Sequence, residues 1–293
     1  MTVYILYNPS SGNGRATQLV ATLKKTYPEL SYALFATDKA TDEKRHVKTI
    51  LSQFEPSRDR FLIIGGDGTL SKSLSYWPAE LPFAYLPAGS GNDFARSLGG
   101  LTMAQVMRSL LSHAPKAITV LANDQQVVVN SLDAAYAAQT VALSEQSGLK
   151  KGLNRFSMGK LAYILLGIKA LFVTRPMSVR LTVIGQQVDL DNLFFFSVSN
   201  NTFFGGGVTI WPSSHVTKKE MICVWAKDRG ILGNLLTLVT ILLKGHEKSK
   251  HLSHLVGQEV EIGFEKTEPV QIDGDLTELS SIGLVCQTRW IYS

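Results

Sequence analysis

Three glycine-rich segments, each just behind a short apolar run, constrain this chain more than any other feature. Residues 3–7 (VYILY) lead into Asn8, Pro9, Ser10, Ser11 and Gly12, with Asn13 and Gly14 following. Residues 61–64 (FLII) lead into Gly65, Gly66, Asp67, Gly68 and Thr69. Residues 83–86 (FAYL) precede Gly89, Ser90, Gly91, Asn92 and Asp93. Apolar runs of this length read as buried strands, and helical spacing appears between them at residues 15–26, 43–54, 93–98 and 103–111. Strands alternating with helices predict an α/β domain with a mainly parallel sheet. In such a sheet the turns after the strands open on one edge, where ligands gather.

Glycine lets backbone N–H groups approach an anion closely, and successive exposed N–H groups form an anion nest. Ser10, Ser11, Thr69 and Ser90 add hydroxyl donors for phosphate oxygens. The same residue types also populate ordinary turns, so each segment taken alone has two readings; three together favour phosphate. Neither G-x-x-x-x-G-K-[ST] nor a strand-linked G-x-G-x-x-G occurs, so the expected phosphate site is of another type.

Beyond residue 118 the texture changes. Strand-like runs dominate at 118–121, 127–131, 179–184, 193–199, 221–225, 260–264, 270–272 and 284–286, with helical stretches only near 160–172 and 232–243. A chain of 293 residues suits two domains. The expectation is a nucleotide-binding α/β domain over residues 1–118 and a mostly antiparallel β domain with inserted helices over 119–293. With 45% apolar and 18% charged residues the chain is a folded protein rather than a disordered one. A net charge of +5 is too mild to require a polyanionic partner, and no nucleic acid is expected. Cys223 and Cys286, in apolar runs without C-x-x-C spacing, read as buried reduced thiols. Residues 1–9 lack the pattern of a signal peptide, and the apolar stretch at 231–243 falls short of the roughly 20 residues that span a bilayer. A cytoplasmic protein, soluble or peripheral to a membrane, is expected.

The three segments, with Phe94, Ala95 and Arg96 closing the last, resemble the diacylglycerol kinase catalytic family, in its bacterial lipid kinase branch related to sphingosine and ceramide kinases. The resemblance continues through residues 159–163 (GKLAY), the Phe204-Gly205-Gly206-Gly207 turn and Asp273-Gly274-Asp275. The GGDGT element is shared with NAD kinases; the GSGNDFAR run points to lipid kinases. The resemblance implies ATP held by Asn8 to Gly12, Gly65 to Thr69 and Gly89 to Asn92, with Thr37 at a nucleotide-contacting position. It implies Mg2+ near Asp67 and a lipid hydroxyl as acceptor. It also implies that Asp275 takes the place of the family's glutamate as the base that accepts the hydroxyl proton. Asp275 is one methylene shorter, and Asp273-Gly274 is equally a favoured hairpin pair. The family's structural magnesium ligands have no acidic counterpart at Pro212-Ser213-Ser214 or in Thr217-Lys218-Lys219-Glu220, so that site is not expected. Alternatives are a soluble NAD-kinase-like enzyme with a small acceptor and a catalytically inactive ATP- or lipid-binding regulator.

Lys150, Lys151, Arg155, Lys160 and Lys169 lie among Leu161, Ile164, Leu165, Ile168, Leu171 and Phe172. A basic helix with an apolar face lies in a membrane interface or packs that face into the core; core packing is the expectation. Residues 231–243, followed by Lys244, Lys248 and Lys250, pose the same choice. His246, His251 and His254 match no zinc spacing and are expected on the surface, whereas Phe194, Phe195 and Phe196 are expected in the core. The oligomeric state is open, with a homodimer as one option.

Overall fold

Four apolar strands build the first half. The structure is a computed structural model that describes residues 1–39, 41–146 and 159–293. Its first elements are β1 (Thr2–Tyr7), α1 (Arg15–Thr26), β2 (Ser31–Ala36), α2 (Asp42–Leu51), β3 (Arg60–Gly65), α3 (Asp67–Leu74), β4 (Phe83–Pro87), α4 (Asp93–Ser97) and α5 (Met103–Leu111). The four strands pair in parallel in the order β4-β3-β1-β2. Side chains alternate across the sheet with period two. Val3, Ile5, Leu62 and Ile64 meet α1 and α5 on one face, while Tyr4, Leu6, Phe61 and Ile63 meet α2 and α3 on the other. Burial on both faces is why β1, β3 and β4 read as unbroken apolar runs, while β2 at the edge is only partly buried.

The second half contains β5 (Lys116–Ala122), β6 (Val127–Val128), β7 (Ser131–Ala135), α6 (Tyr136–Gln146), α7 (Gly159–Val173), β8 (Met177–Val183) and β9 (Gln186–Ser199). There follow β10 (Phe203–Phe204), β11 (Val208–Thr209), β12 (Met221–Lys227), α8 (Gly230–Leu242), β13 (Ser253–Gly257), β14 (Glu259–Ile272) and β15 (Asp275–Tyr292). Its strand pairs are antiparallel. The fold is thus an α/β half with a parallel sheet followed by a mostly antiparallel β half with inserted helices. The last strand returns to the first sheet: Ile291 and Tyr292 pair in parallel with Phe83 and Ala84 of β4, while β5 runs antiparallel along β15.

Several sequence expectations change. α6 adds a helix to the two expected. It buries Ala137, Ala138, Leu143 and Ser144, so small and polar residues stand where an apolar stripe would announce a helix. His246 is buried, with its ring 5.4 Å from that of Trp211, rather than on the surface; His254 is exposed and His251 half-buried. On α7 Leu171 is buried as expected, whereas Leu165, Ile168 and Phe172 are exposed rather than packed into the core; the side chains of Leu161 and Ile164 lie outside the described ones. Lys150, Lys151 and Arg155 lie outside the described residues. Phe194, Phe195 and Phe196 are buried as expected. Both cysteines are free. Burial pushes the Cys223 thiol up to about 12 and that of the half-buried Cys286 up to about 11. No helix among the described residues is long and apolar enough to cross a membrane.

Candidate functional site

The strand order creates the site. Neighbouring strands lie about 4.8 Å apart, so the turns after β4, β3 and β1 emerge side by side. The connections from β1 to β2 and from β2 to β3 run in opposite directions across the sheet, which places a crevice beyond the carboxyl ends of β1 and β3. The Asn8 N–H donates to the Ile64 carbonyl at 3.1 Å and the Ala88 N–H to that of Gly65 at 2.7 Å, tying the turns together at their bases. Asn8 Oδ1 accepts the Ser10 N–H at 3.0 Å, shaping the first turn.

The turns touch because they lack side chains. A Cβ on Gly12, whose φ is +59°, would overlap the Ala88 carbonyl oxygen. A Cβ on Gly89 would stand 2.7 Å from the Gly66 Cα, and one on Gly66 would lie 3.6 Å from Ser11 Oγ. Thr69 is buried against Gly65, where a Cβ would meet its side chain at 2.7 Å. Thr37 is buried too; its N–H donates to the Tyr7 carbonyl at 2.9 Å, which holds the end of β2 on β1. Gly68 and Pro9 are half-buried, and Ser10 and Ser90 are exposed.

Asp67 opens α3 in the middle of this contact. Its Oδ2 accepts the Asp93 N–H at 2.8 Å and its Oδ1 the Tyr85 hydroxyl at 3.4 Å. Burial raises its pKa to about 6, and the nearby Asp93 charge adds to the rise. The Asp93 carboxyl is also raised by burial, opposed by the Gly206 N–H and by Arg96. Asp93 Oδ1 binds Arg96, and its Oδ2 accepts the Gly206 N–H at 2.7 Å. Gly205, Gly206 and Gly207 all take positive φ (59°, 87° and 111°), which lets the turn between β10 and β11 bend over Asp93. Arg96 also donates to the Gly91 carbonyl at 3.2 Å and lies over the Phe203 ring.

The second half closes the site from the other side. Asn130 lies close enough to the Asp67 carboxyl to oppose the rise of its pKa, and its Oδ1 accepts the Asn201 side-chain N–H at 2.5 Å. Asp273 takes the N–H groups of Val129, Asn130 and Ser131 at 2.9, 2.7 and 3.3 Å. Burial nevertheless raises its pKa to about 7. Asp273 and Gly274 both have positive φ, as a two-residue hairpin turn requires, and Ile272 pairs with Asp275 across it. The hairpin rests on α3, where Asp275 Oδ2 meets Lys72 Nζ at 2.7 Å. Asp275 therefore stands exposed on the flank of α3 rather than inside the cluster around Asp67.

Beneath the hairpin Asp133 is fully buried and accepts hydrogen bonds from Ser131 (2.6 Å), Ser197 and Gln271, while burial raises its pKa to about 7. An unfolded aspartate titrates near about 3.9, so the native state holds this proton more tightly. The resulting stabilisation is complete below about pH 4 and is lost as pH rises through about 7. Replacing Asp133 with asparagine removes this titration. The melting temperature of the variant, relative to the natural chain, is expected to climb between pH 5 and 7, at up to about 1.4 kcal/mol of stability per pH unit. Thermal melts across that range check it; a constant offset would show that Asp133 does not titrate there.

Sequence reasoning had singled out the turns and Asp67 but gave no role to Asp93, Arg96, Asn130, Asn201 or Lys72. Asp93 and Arg96 were in view within the GSGNDFAR run; nothing local marks Asn130 or Asn201. In the segment that corresponds to the family's structural magnesium ligands, Lys218 Nζ lies 3.4 Å from Glu220 Oε1. Among the described residues no cluster of three or more His, Cys, Asp or Glu side chains surrounds a common point.

Residues 2–122 match the model of the diacylglycerol kinase catalytic domain, and residues 150–288 that of the YegS C-terminal NAD kinase beta sandwich-like domain. Together the two matches cover most of the chain, and they are those of the lipid kinase family. The first domain belongs to the diacylglycerol kinase catalytic family and the second to the YegS C-terminal family. A diacylglycerol kinase of Bacillus subtilis is 23% identical over 281 residues, 92% of this chain and 88% of that protein. A diacylglycerol kinase of Mycobacterium tuberculosis is 24% identical over 227 residues, 72% of this chain and 69% of that protein. Among solved structures, a diacylglycerol kinase from Bacillus anthracis superposes with a TM-score of 0.73 at 20% identity, covering 99% of this chain and 96% of the other. An NAD kinase from Archaeoglobus fulgidus in complex with ATP has a TM-score of 0.53 at 13% identity, covering 100% and 94%. These superpositions concern the fold alone.

Proposed function

We propose that the protein transfers the γ-phosphate of ATP to the hydroxyl of a lipid alcohol, diacylglycerol or a close relative, at the surface of a membrane on its cytoplasmic side. The observation that carries this reading is the mutual contact of the turns after β1, β3 and β4 around the buried Asp67 carboxylate. These turns, with Thr37, are assigned the nucleotide. Residues 1–118 are assigned ATP and 119–293 the lipid. The donor set fits magnesium: Asp67 offers hard carboxylate oxygens beside the turns assigned to phosphate, and the phosphates bring the rest. Magnesium carried by ATP offsets phosphate charge during transfer.

The lipid oxygen bonds to the γ-phosphorus as the bond from that phosphorus to the β–γ bridging oxygen breaks, and ADP departs. The hydroxyl proton passes to the Asp275 carboxylate, which Lys72 holds against α3. Asp273 fixes the hairpin that carries Asp275 through its three backbone contacts.

Purified protein, labelled ATP, magnesium and mixed micelles of candidate lipids test the proposal. Label is expected in a lipid. Asp275→Asn is expected to lower kcat about 10²- to 10⁴-fold with KM for ATP unchanged, because it removes a proton acceptor and no nucleotide contact. Label reaching only NAD would make the protein a small-molecule kinase, and nucleotide binding without transfer would make it a regulator; either overturns the proposal.

A further inference from the structure

Helix α8 is inside out. Its buried positions include Asn234, 4% exposed, and Thr237, fully buried, while Leu232 is 83% and Leu242 65% exposed. The buried polar groups are matched. Asn234 accepts the Arg229 N–H at 3.1 Å and donates to Asp228 at 2.5 Å, and Thr237 accepts from Arg229 at 2.9 Å. Leu232, Leu235, Leu236, Val239, Leu242 and Leu243 follow at helical spacing along the opposite side, all exposed. Leu165, Ile168 and Phe172 form a second exposed stripe on α7, which packs beside α8. Helices normally turn such a face to the core, and a contiguous apolar face rimmed by polar groups marks an interaction surface.

We propose that the α7–α8 face seats the protein on a bilayer containing anionic lipids. The charge around it selects this occupant. Lys227, Lys244, Lys248 and Lys250 flank α8 in sequence against Glu247, while Asp228 and Arg229 are engaged by Asn234 and Thr237. Lys169 and Arg175 are exposed on and just after α7. Basic residues around an apolar helical face complement anionic headgroups. A second copy fits poorly, because a two-fold interface would set the lysine rim near its own image. The inference rests on the lipid-kinase reading only in that the acceptor resides in the bilayer.

The full chain is mixed with phosphatidylglycerol/phosphatidylcholine vesicles, without ATP, and sedimented. The natural chain is expected to partition onto them, and the triple variant Leu232→Gln, Leu236→Gln, Leu243→Gln to do so about tenfold or more weakly. These side chains are exposed, so the variant's melting temperature serves as the folding control. Lys244→Glu with Lys248→Glu is expected to abolish the preference over pure phosphatidylcholine. A natural chain that stays in solution overturns the proposal. So does a natural dimer, seen by sedimentation velocity, that the triple variant dissociates while vesicle binding persists. A separate assay on dispersed dioctanoylglycerol distinguishes the two readings: the triple variant keeps its rate there if the kinase reading holds, whatever the vesicle result.

Discussion

Replacing Asp67 with asparagine is expected to lower the rate of phosphoryl transfer about a hundred- to a thousandfold while leaving the melting temperature at pH 8 unchanged or higher. The two effects diverge for a physical reason. Asparagine keeps one oxygen to accept the Asp93 N–H; the charge goes, and the Tyr85 hydroxyl, which loses its long contact to Oδ1, keeps the Gly65 carbonyl at 3.1 Å as its acceptor. That charge is poorly hydrated, as the rise of its pKa to about 6 by burial shows. Above that pH the native state holds an ionised carboxylate at a cost in stability, which the variant does not bear. The acid limb of the natural activity profile near pH 6 is expected to disappear in whatever activity remains. Measurements of kcat with saturating ATP between pH 5 and 8, alongside thermal melts, check both parts. A variant with natural activity would remove Asp67 from the proposed chemistry.

Gly12→Ala is expected to abolish ATP binding and to destabilise the fold by about 2–4 kcal/mol, through two separable costs. Its left-handed backbone, φ +59°, disfavours any side chain, and the new Cβ would overlap the Ala88 carbonyl, forcing the first and third turns apart. Gly14→Ala is the internal control. Its φ is also positive, +89°, but a Cβ there meets nothing within 4 Å, so it bears the backbone cost alone. Calorimetric ATP titrations and melts of the two variants separate strain from steric separation. Equal losses at both positions would show that contact between the turns contributes nothing.

What the sequence makes legible follows from how local each signal is. The FLII run and the GGDGT turn are adjacent, so a buried strand and its turn are readable together. The rule that parallel strands open their turns on one edge does the rest. Asp93 and Gly206 are 113 residues apart and Asn130 and Asp273 143 apart, so no periodicity reports their pairing. α6 was hidden by its alanines. Asp275 was nameable only through the resemblance, since Asp-Gly in a hairpin looks the same with or without a proton to accept. α8 was legible as a helix but not in orientation: its leucines announce a buried face, and the capture of Asn234 and Thr237 by Arg229 and Asp228, with the burial of Ile241, turns most of them outward.

The return of β15 to β4 governs how the two halves can move. One polypeptide strand is stitched into the antiparallel half along most of its length and into the parallel sheet of the first half at its tip, beside β5. Parting the halves like jaws would tear backbone pairs from this shared seam. Twisting the continuous sheet keeps those pairs intact. Adjustment around a bound nucleotide is therefore expected to be a shallow torsion spread over many residues, with the turns, rather than the body of either half, supplying local give.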